Sequence, residues 1–156
     1  MDTPPSGPAP LERLLAERAC ERVVVDFVHR LDLGEPGSVA ELFAPDGVWE
    51  WPAGGRRVQG REALRAYFGS RPAGRLSRRM CANLLVTAGS ATRATAVTYF
   101  ATYRVDGHTG GLVPARPPVN IGHYEDVLHG EGGEWRIAHR TLRLAFGGET
   151  ERLGRT

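Results

Sequence analysis

Several side chains in this sequence are spaced as a proton-transfer site would need them. His29 and Asp32 stand one helical turn apart in Phe27-Val-His-Arg-Leu-Asp-Leu-Gly34, so a helix presents them on one face. Imidazole titrates near neutrality and could shuttle protons with the Asp32 carboxylate. The plainer reading is a half-exposed His beside Asp26 and Arg30. Further along, strand alternation puts Tyr124 and Asp126 on one side and His123 and Glu125 on the other. Trp49 and Trp51 alternate onto one side of an earlier strand, either as a flat wall for stacking a ring or as core.

Other chemistries lack their residues. The sequence has no Lys, which excludes a Schiff base on a lysine amine. It has no His-Glu-x-x-His and no cysteine pair at zinc spacing, so no metal is expected. It has no Gly-x-Gly-x-x-Gly between strand and helix and no nucleophile elbow, so neither a nucleotide site nor Ser-His-Asp catalysis is expected. No cofactor is called for.

The elements that must hold these groups follow from periodicity. Leu11, Leu14, Leu15, Cys20, Val24, Phe27, Val28 and Leu31 repeat at helical spacing, and Gly34-Glu-Pro-Gly37 ends that helix. Ser38 caps a second, short helix with Val39, Leu42 and Phe43 on one side. Pro45-Asp-Gly47 leads into a strand over Val48–Trp51, and Ala53-Gly-Gly55 turns it back through Arg57–Gln59. Gly60–Phe68 reads as a third helix with Leu64, Tyr67 and Phe68 inward. Residues 78–87, 92–105, 119–129 and 134–146 are rich in β-branched and aromatic residues and read as strands of an antiparallel meander. Helices first and strands after is an α+β order. The Gly- and Pro-rich connection Asp106–Pro118 is long for a compact domain and reads either as a lid or as a floppy hairpin tip.

At 156 residues, 41% hydrophobic and 24% charged, the composition is that of one soluble globular domain. The expected layout is a disordered Pro-rich lead-in over residues 1–10, one domain over 11–146 and a tail over 147–156. The start lacks the pattern of a secretory signal, and two cysteines are too few for a disulfide framework, so the expectation is cytoplasmic. Cys20 and Cys81 read as small core residues. The formal charge is +2 and the arginines are dispersed, with Arg56-Arg57 and Arg78-Arg79 the adjacent pairs. That leaves no stripe for nucleic acid, and no apolar run suits a membrane.

The order of segments resembles the SnoaL-like branch of the nuclear-transport-factor-two-like superfamily, which includes scytalone dehydratase, polyketide cyclases, ketosteroid isomerase and ring-hydroxylating dioxygenase β subunits. The resemblance runs from Leu11 to Phe146. It rests on the helix ending in Asp32, on Leu42-Phe-Ala-Pro-Asp-Gly-Val-Trp-Glu-Trp51, on Gly60-Arg-Glu-Ala-Leu-Arg-Ala-Tyr-Phe68, and on Gly122-His-Tyr-Glu-Asp126 with Trp135-Arg-Ile-Ala-His-Arg140. It implies a cone-shaped curved antiparallel sheet with three helices on its concave side and a cavity between them. It places Asp32 facing the cavity as an acid or base, and makes Asp126 or His123 of the penultimate strand the rival. Departures matter as well. Trp51 stands where scytalone dehydratase carries a functional Tyr. Arg79 stands where that enzyme has a catalytic His, and Arg104 lies near the place of a second. Arginine does not exchange protons at neutral pH, but it binds carboxylate, phenolate or enolate oxygen.

The implied function is a cofactor-free dehydratase, isomerase or cyclase of a polyketide-like or terpenoid-like ring compound, with epoxide opening as a variant on the same residues. Asp32 would move the proton, helped by His29. Arg79 or Arg104 would hold oxyanion charge, and Trp49, Trp51, Phe68, Phe100 and Tyr124 would shape the pocket. The alternative is a non-catalytic binding or assembly subunit like the dioxygenase β subunits. A sheet with helices on one face leaves the other to be covered, and the expectation is a homodimer.

Overall fold

The computed structural model describes residues 7–154. Most of the expected lead-in, residues 1–6, lies outside the described residues, as do residues 155–156 of the tail. Helix α1 (Pro10–Leu33) starts with a proline, whose missing N–H costs nothing in a first turn. The Glu12 carboxylate accepts from the Ala9 N–H at 3.2 Å. Its buried face is Ala16, Cys20, Val23, Val24, Phe27, Val28 and Leu31. Leu11, Leu14 and Leu15, expected on that face, are exposed instead. The sheet ends first: Glu17 already accepts from the N–H of Ala88, the last residue of a strand, so the turns before it overhang. The expected second helix is the 3-10 helix Pro36–Leu42. Arg30 ties it to α1, donating to Asp26 at 3.2 Å, to Glu41 at 2.7 Å and to the Ser38 carbonyl at 3.0 Å.

Strand β1 (Phe43–Trp51) and β2 (Arg56–Gln59) form a hairpin, and α2 (Arg61–Gly69) follows. Four long strands complete the fold: β3 (Leu76–Ala88), β4 (Arg93–Asp106), β5 (Asn120–Glu131) and β6 (Glu134–Gly147). The sheet order is β2-β1-β6-β5-β4-β3. Residues 60–75 therefore carry the chain from one edge of the sheet to the other. That crossing leaves β1 beside the last long strand, where the two run parallel. A short β7 (Glu151–Arg152) also adds in parallel, along β4, and the other pairings are antiparallel. The result is a curled sheet with its helices on one face, an α+β cone. No helix among the described residues is long and apolar enough to cross a membrane.

Two irregularities decide which side chains face inward. In β6, Ile137 opposes Leu128 and His139 opposes Val127, so Ala138 is an extra residue. Trp135 and Ile137 face the core before the bulge, and Arg140, Leu142 and Leu144 face inward after it. His139, which unbroken alternation would put on the Trp135 face, is turned outward by the bulge and meets Glu50 at 2.7 Å. In β3 the register shifts between Ala82 and Leu85 around Asn83, whose φ of 50° Asn tolerates better than most residues.

The Asp106–Pro118 connection is not a lid in this structure. Its residues Val113–Arg116 lie over Arg78, Tyr103 and Val105 on the outer face and enclose a groove of about 240 Å³. Arg116 holds the segment to Glu151 at 2.5 Å. Burial pushes the Cys20 thiol up to about 12 and raises that of Cys81, so neither is a ready thiolate.

The core contains an ion pair out of all contact with solvent. Arg140 donates to both oxygens of Asp126, at 2.7 and 2.6 Å, and both side chains are fully buried. The guanidinium lies between the rings of Phe27 and Tyr124, 4.3 and 4.2 Å from their centroids. Burial works to lower the Arg140 pKa, but attraction to Asp126 outweighs it and the net direction is up. Asp126 thus serves the core and does not reach the cavity, which corrects its expected role as the rival acid. Replacing Asp126 by Asn strands a buried guanidinium and is expected to cost ~3–5 kcal/mol in urea unfolding. An Asp126→Leu/Arg140→Met double variant should recover most of that loss. A cost below about 1 kcal/mol for Asp126→Asn would mean the pair is not closed in solution.

Candidate functional site

The cone encloses a cavity of about 420 Å³ open at one end, within the usual size range for small-molecule sites. One wall is aromatic. Trp49 and Trp51 come from alternate positions of β1, Tyr67 and Phe68 from α2, Phe100 from β4 and Tyr124 from β5. Their packing is continuous: Trp49 lies 5.1 Å from Tyr67 and 5.9 Å from Phe68, and Phe100 stacks on Tyr124 at 4.5 Å. Burial raises the Tyr124 phenol pKa, against the pull of Arg79 and Arg140. Trp51 rests against Gly54, where any side chain would overlap the indole ring. Its Nε1–H is buried and has no partner among the described residues.

Arginines make another part of the lining. Arg71 and Arg75 come from the connection after α2, Arg79 from β3 and Arg104 from β4, while Arg56 at the start of β2 lies over the Tyr67 ring at 5.4 Å. Arg75 is locked by a two-point pair with Asp106, at 2.7 and 2.8 Å. Arg104 is held through its Nε by the Thr150 hydroxyl at 2.7 Å, so the segment expected to be a tail reaches the cavity rim. Burial first, then repulsion from Arg79, Arg75 and Arg104, brings Arg71 down to about 10 despite the attraction of Asp32. Burial and the neighbouring Arg75 and Arg79 lower Arg104 likewise. Asp106 is held low by the Arg75 hydrogen bond, against its own desolvation.

Asp32 stands behind this wall and does not line the cavity. Its side chain is 4% exposed. It accepts from the Ser77 hydroxyl at 2.6 Å, from the backbone N–H of Arg79 at 2.6 Å and from the Arg79 guanidinium, and Arg71 lies 3.9 Å away. Arg71 in turn donates to the Leu31 carbonyl at the end of α1 and to the Ser77 oxygen. The expected reading of Asp32 as an acid or base facing the cavity is therefore corrected: its oxygens are committed to donors that orient Arg79.

Two further expectations change. His29 is exposed on α1 while the Asp32 side chain is almost wholly covered, so the two do not work as a pair. His123 points to the outer face, beside Tyr99 with ring centroids 6.3 Å apart and Glu125 at 3.2 Å. Trp49, Trp51, Phe68, Phe100, Arg104 and Tyr124 all line the cavity, as does Arg79. Among the described residues no Asp, Glu or His lines it, and no three metal-binding side chains gather anywhere. Arg56, Arg71, Arg75 and Tyr67 were not foreseen as site residues. Tyr67 had a signal, being inward by helical spacing. Arg71 and Arg75 had none, because a polar connection carries no period.

A family model for the SnoaL-like domain matches residues 12–141. No curated protein matches the chain. Solved structures of the same fold include a protein of unknown function from Mycobacterium tuberculosis, 23% identical over 87% of this chain and 76% of that one, with a TM-score of 0.71. ActVI-ORFA from Streptomyces coelicolor is 18% identical, with 82% and 96% covered and a TM-score of 0.69. The hexachlorocyclohexane dehydrochlorinase LinA-type3 from Novosphingobium barchaimii is 17% identical, with 88% and 92% covered and a TM-score of 0.70.

The geometry behind the arginine wall makes a stability prediction. Asp32→Asn keeps the shape but removes the charge that faces Arg71 and Arg79. Unfolding free energy in urea is expected to fall by ~3–5 kcal/mol, the cost of breaking a buried pair on one side. A loss under about 1 kcal/mol would show that Asp32 is not needed to balance these arginines.

Proposed function

The chain belongs to the SnoaL-like domain family, and from that premise we propose that it is a cofactor-free enzyme acting on a ring-containing, polyketide-like metabolite by dehydration, isomerisation or cyclisation. The observation that carries this reading is Arg79: a guanidinium in the cavity wall, held from behind by Asp32. A guanidinium so fixed stabilises an oxyanion as it develops, without having to reorient during reaction. The substrate carbonyl or phenol oxygen rests on Arg79 while its ring lies against Trp49 and Trp51. The held charge makes an adjacent C–H acidic enough to lose its proton to cavity water. The Tyr67 phenol then gives a proton to the departing oxygen or to the enolate carbon, and solvent restores it. Asp32 acts through Arg79 and is a positioning residue. The dehydrochlorinase among the solved structures of like fold accords with an elimination on such a scaffold.

One observation favours a second reading. The absence of Asp, Glu and His from the described lining fits a subunit that binds a ring compound and leaves the chemistry to a partner.

A carbon-acid probe separates the two. Deuterium exchange from D2O into 2-tetralone, followed by NMR, is expected to be accelerated by the protein. Arg79→Met should reduce that acceleration about 10²–10³-fold, the usual worth of an oxyanion donor. Tyr67→Phe should reduce reprotonation by about 10²-fold or more. Binding of 2-tetralone with no acceleration of exchange supports the binding subunit and overturns the enzyme reading.

A further inference from the structure

The charges around the cavity do not balance. Five guanidiniums line it, those of Arg56, Arg71, Arg75, Arg79 and Arg104. Among the described residues two carboxylates answer them, and both stand behind the wall: Asp32 against Arg79, with Arg71 at 3.9 Å, and Asp106 against Arg75. Arg104 has a hydroxyl for a partner, and Arg71 has a carbonyl and a hydroxyl. Like charges crowded into a half-desolvated space raise the energy of the empty protein, and the downward shifts of Arg71 and Arg104 reflect that. A neutral ring compound would fill the aromatic side and leave this excess untouched.

We infer that the ligand of this cavity is a ring compound carrying a doubly charged anionic group, whose ring packs on Trp49, Trp51 and Tyr67 while its acidic oxygens meet Arg71, Arg79 and Arg104. The inference rests on the reading of the cavity as the ligand site and adds the charge of the ligand to it.

Three features support the assignment. First, the arginines are held in place before the ligand arrives. Arg75 is fixed by Asp106 and Arg79 by Asp32, so little side-chain freedom is lost on binding. Second, among the described residues Arg104 is tied through Nε alone, which leaves its terminal N–H groups as donors for an anion. Third, charge and ring surface adjoin in the lining, where the Arg56 guanidinium lies 5.4 Å from the Tyr67 ring centroid. Guanidinium geometry suits both phosphate and carboxylate, and the shared chemistry is a ring-bearing dianion.

Four probes with one ring system test this by calorimetry at pH 7.5: 2-naphthol, 2-naphthoate, 2-naphthyl phosphate and naphthalene-2,3-dicarboxylate. Affinity is expected to rise about tenfold for each added charge, in line with charge-assisted hydrogen bonds. The last two probes decide between phosphate and paired carboxylates as the better head group. Arg104→Gln should reduce the advantage of the dianions over 2-naphthol by about tenfold. Without ligand, Arg104→Gln should melt no lower than the parent protein, since it relieves repulsion. If that variant does not fold, Arg56→Gln, which also removes one positive charge from the lining, provides the same comparison. Equal affinity for 2-naphthol and the dianions overturns the inference and leaves the cavity as a neutral-ring site. Failure of every probe to bind overturns both the inference and the reading of the cavity beneath it.

Discussion

Asp32 sits where a carboxylate has little natural support. It lies in the last turn of a 24-residue helix, at the end whose free carbonyls already carry partial negative charge, and it is almost out of water. Its position is tolerable because positive groups converge on it from two other segments. Arg79 reaches it from β3 through both backbone and side chain, and Ser77 adds a hydroxyl. Arg71, from the connection after α2, covers the Leu31 carbonyl and approaches the same carboxylate. One acid thereby joins the first helix, the β3 edge of the sheet and the segment that crosses the fold. The cavity wall is assembled by that junction.

Polarity then changes in steps from the core to the mouth. In the core, Arg140 and Asp126 cancel each other within a dry aromatic cage. Behind the wall, Asp32 and Asp106 each hold one arginine in place. Lining the cavity, Arg56 and Arg104 have no carboxylate partner among the described residues. Each step has less compensation than the one before, so positive charge is available only where a small molecule can reach it. The aromatic part of the lining supplies the non-directional part of recognition.

The order of elements was legible because it depends on patterns spanning many residues. The helix around Phe27, the alternation of Trp49 and Trp51 and the four long strands each repeat a period that the structure keeps. Local departures from those periods were not legible. Nothing around Ala138 marks an extra residue, so Arg140 could not be placed in the core from the alternation of Trp135 and Ile137. Leu11, Leu14 and Leu15 fit the helical period, but the sequence does not tell where the neighbouring strand ends. At the site, Asp32 and Arg79 were both visible, and the resemblance assigned chemistry to the acid. The structure gives the cavity to the arginine because the two side chains are in contact, a fact about three-dimensional distance between residues 47 positions apart. Arg71 and Arg75 lie in a segment that reads as solvated surface, and only the folding of that segment over the cone turns them inward.

The central claim is that Asp32 acts through Arg79. A double-mutant cycle on the binding of 2-naphthyl phosphate tests it most directly, with Asp32→Asn, Arg79→Met and the double variant measured by calorimetry. If Asp32 serves to hold Arg79, then Asp32→Asn weakens binding in the parent protein and has no further effect once Arg79 is Met. Independent losses that add in the double variant would contradict the account, because they would give Asp32 a part in binding of its own.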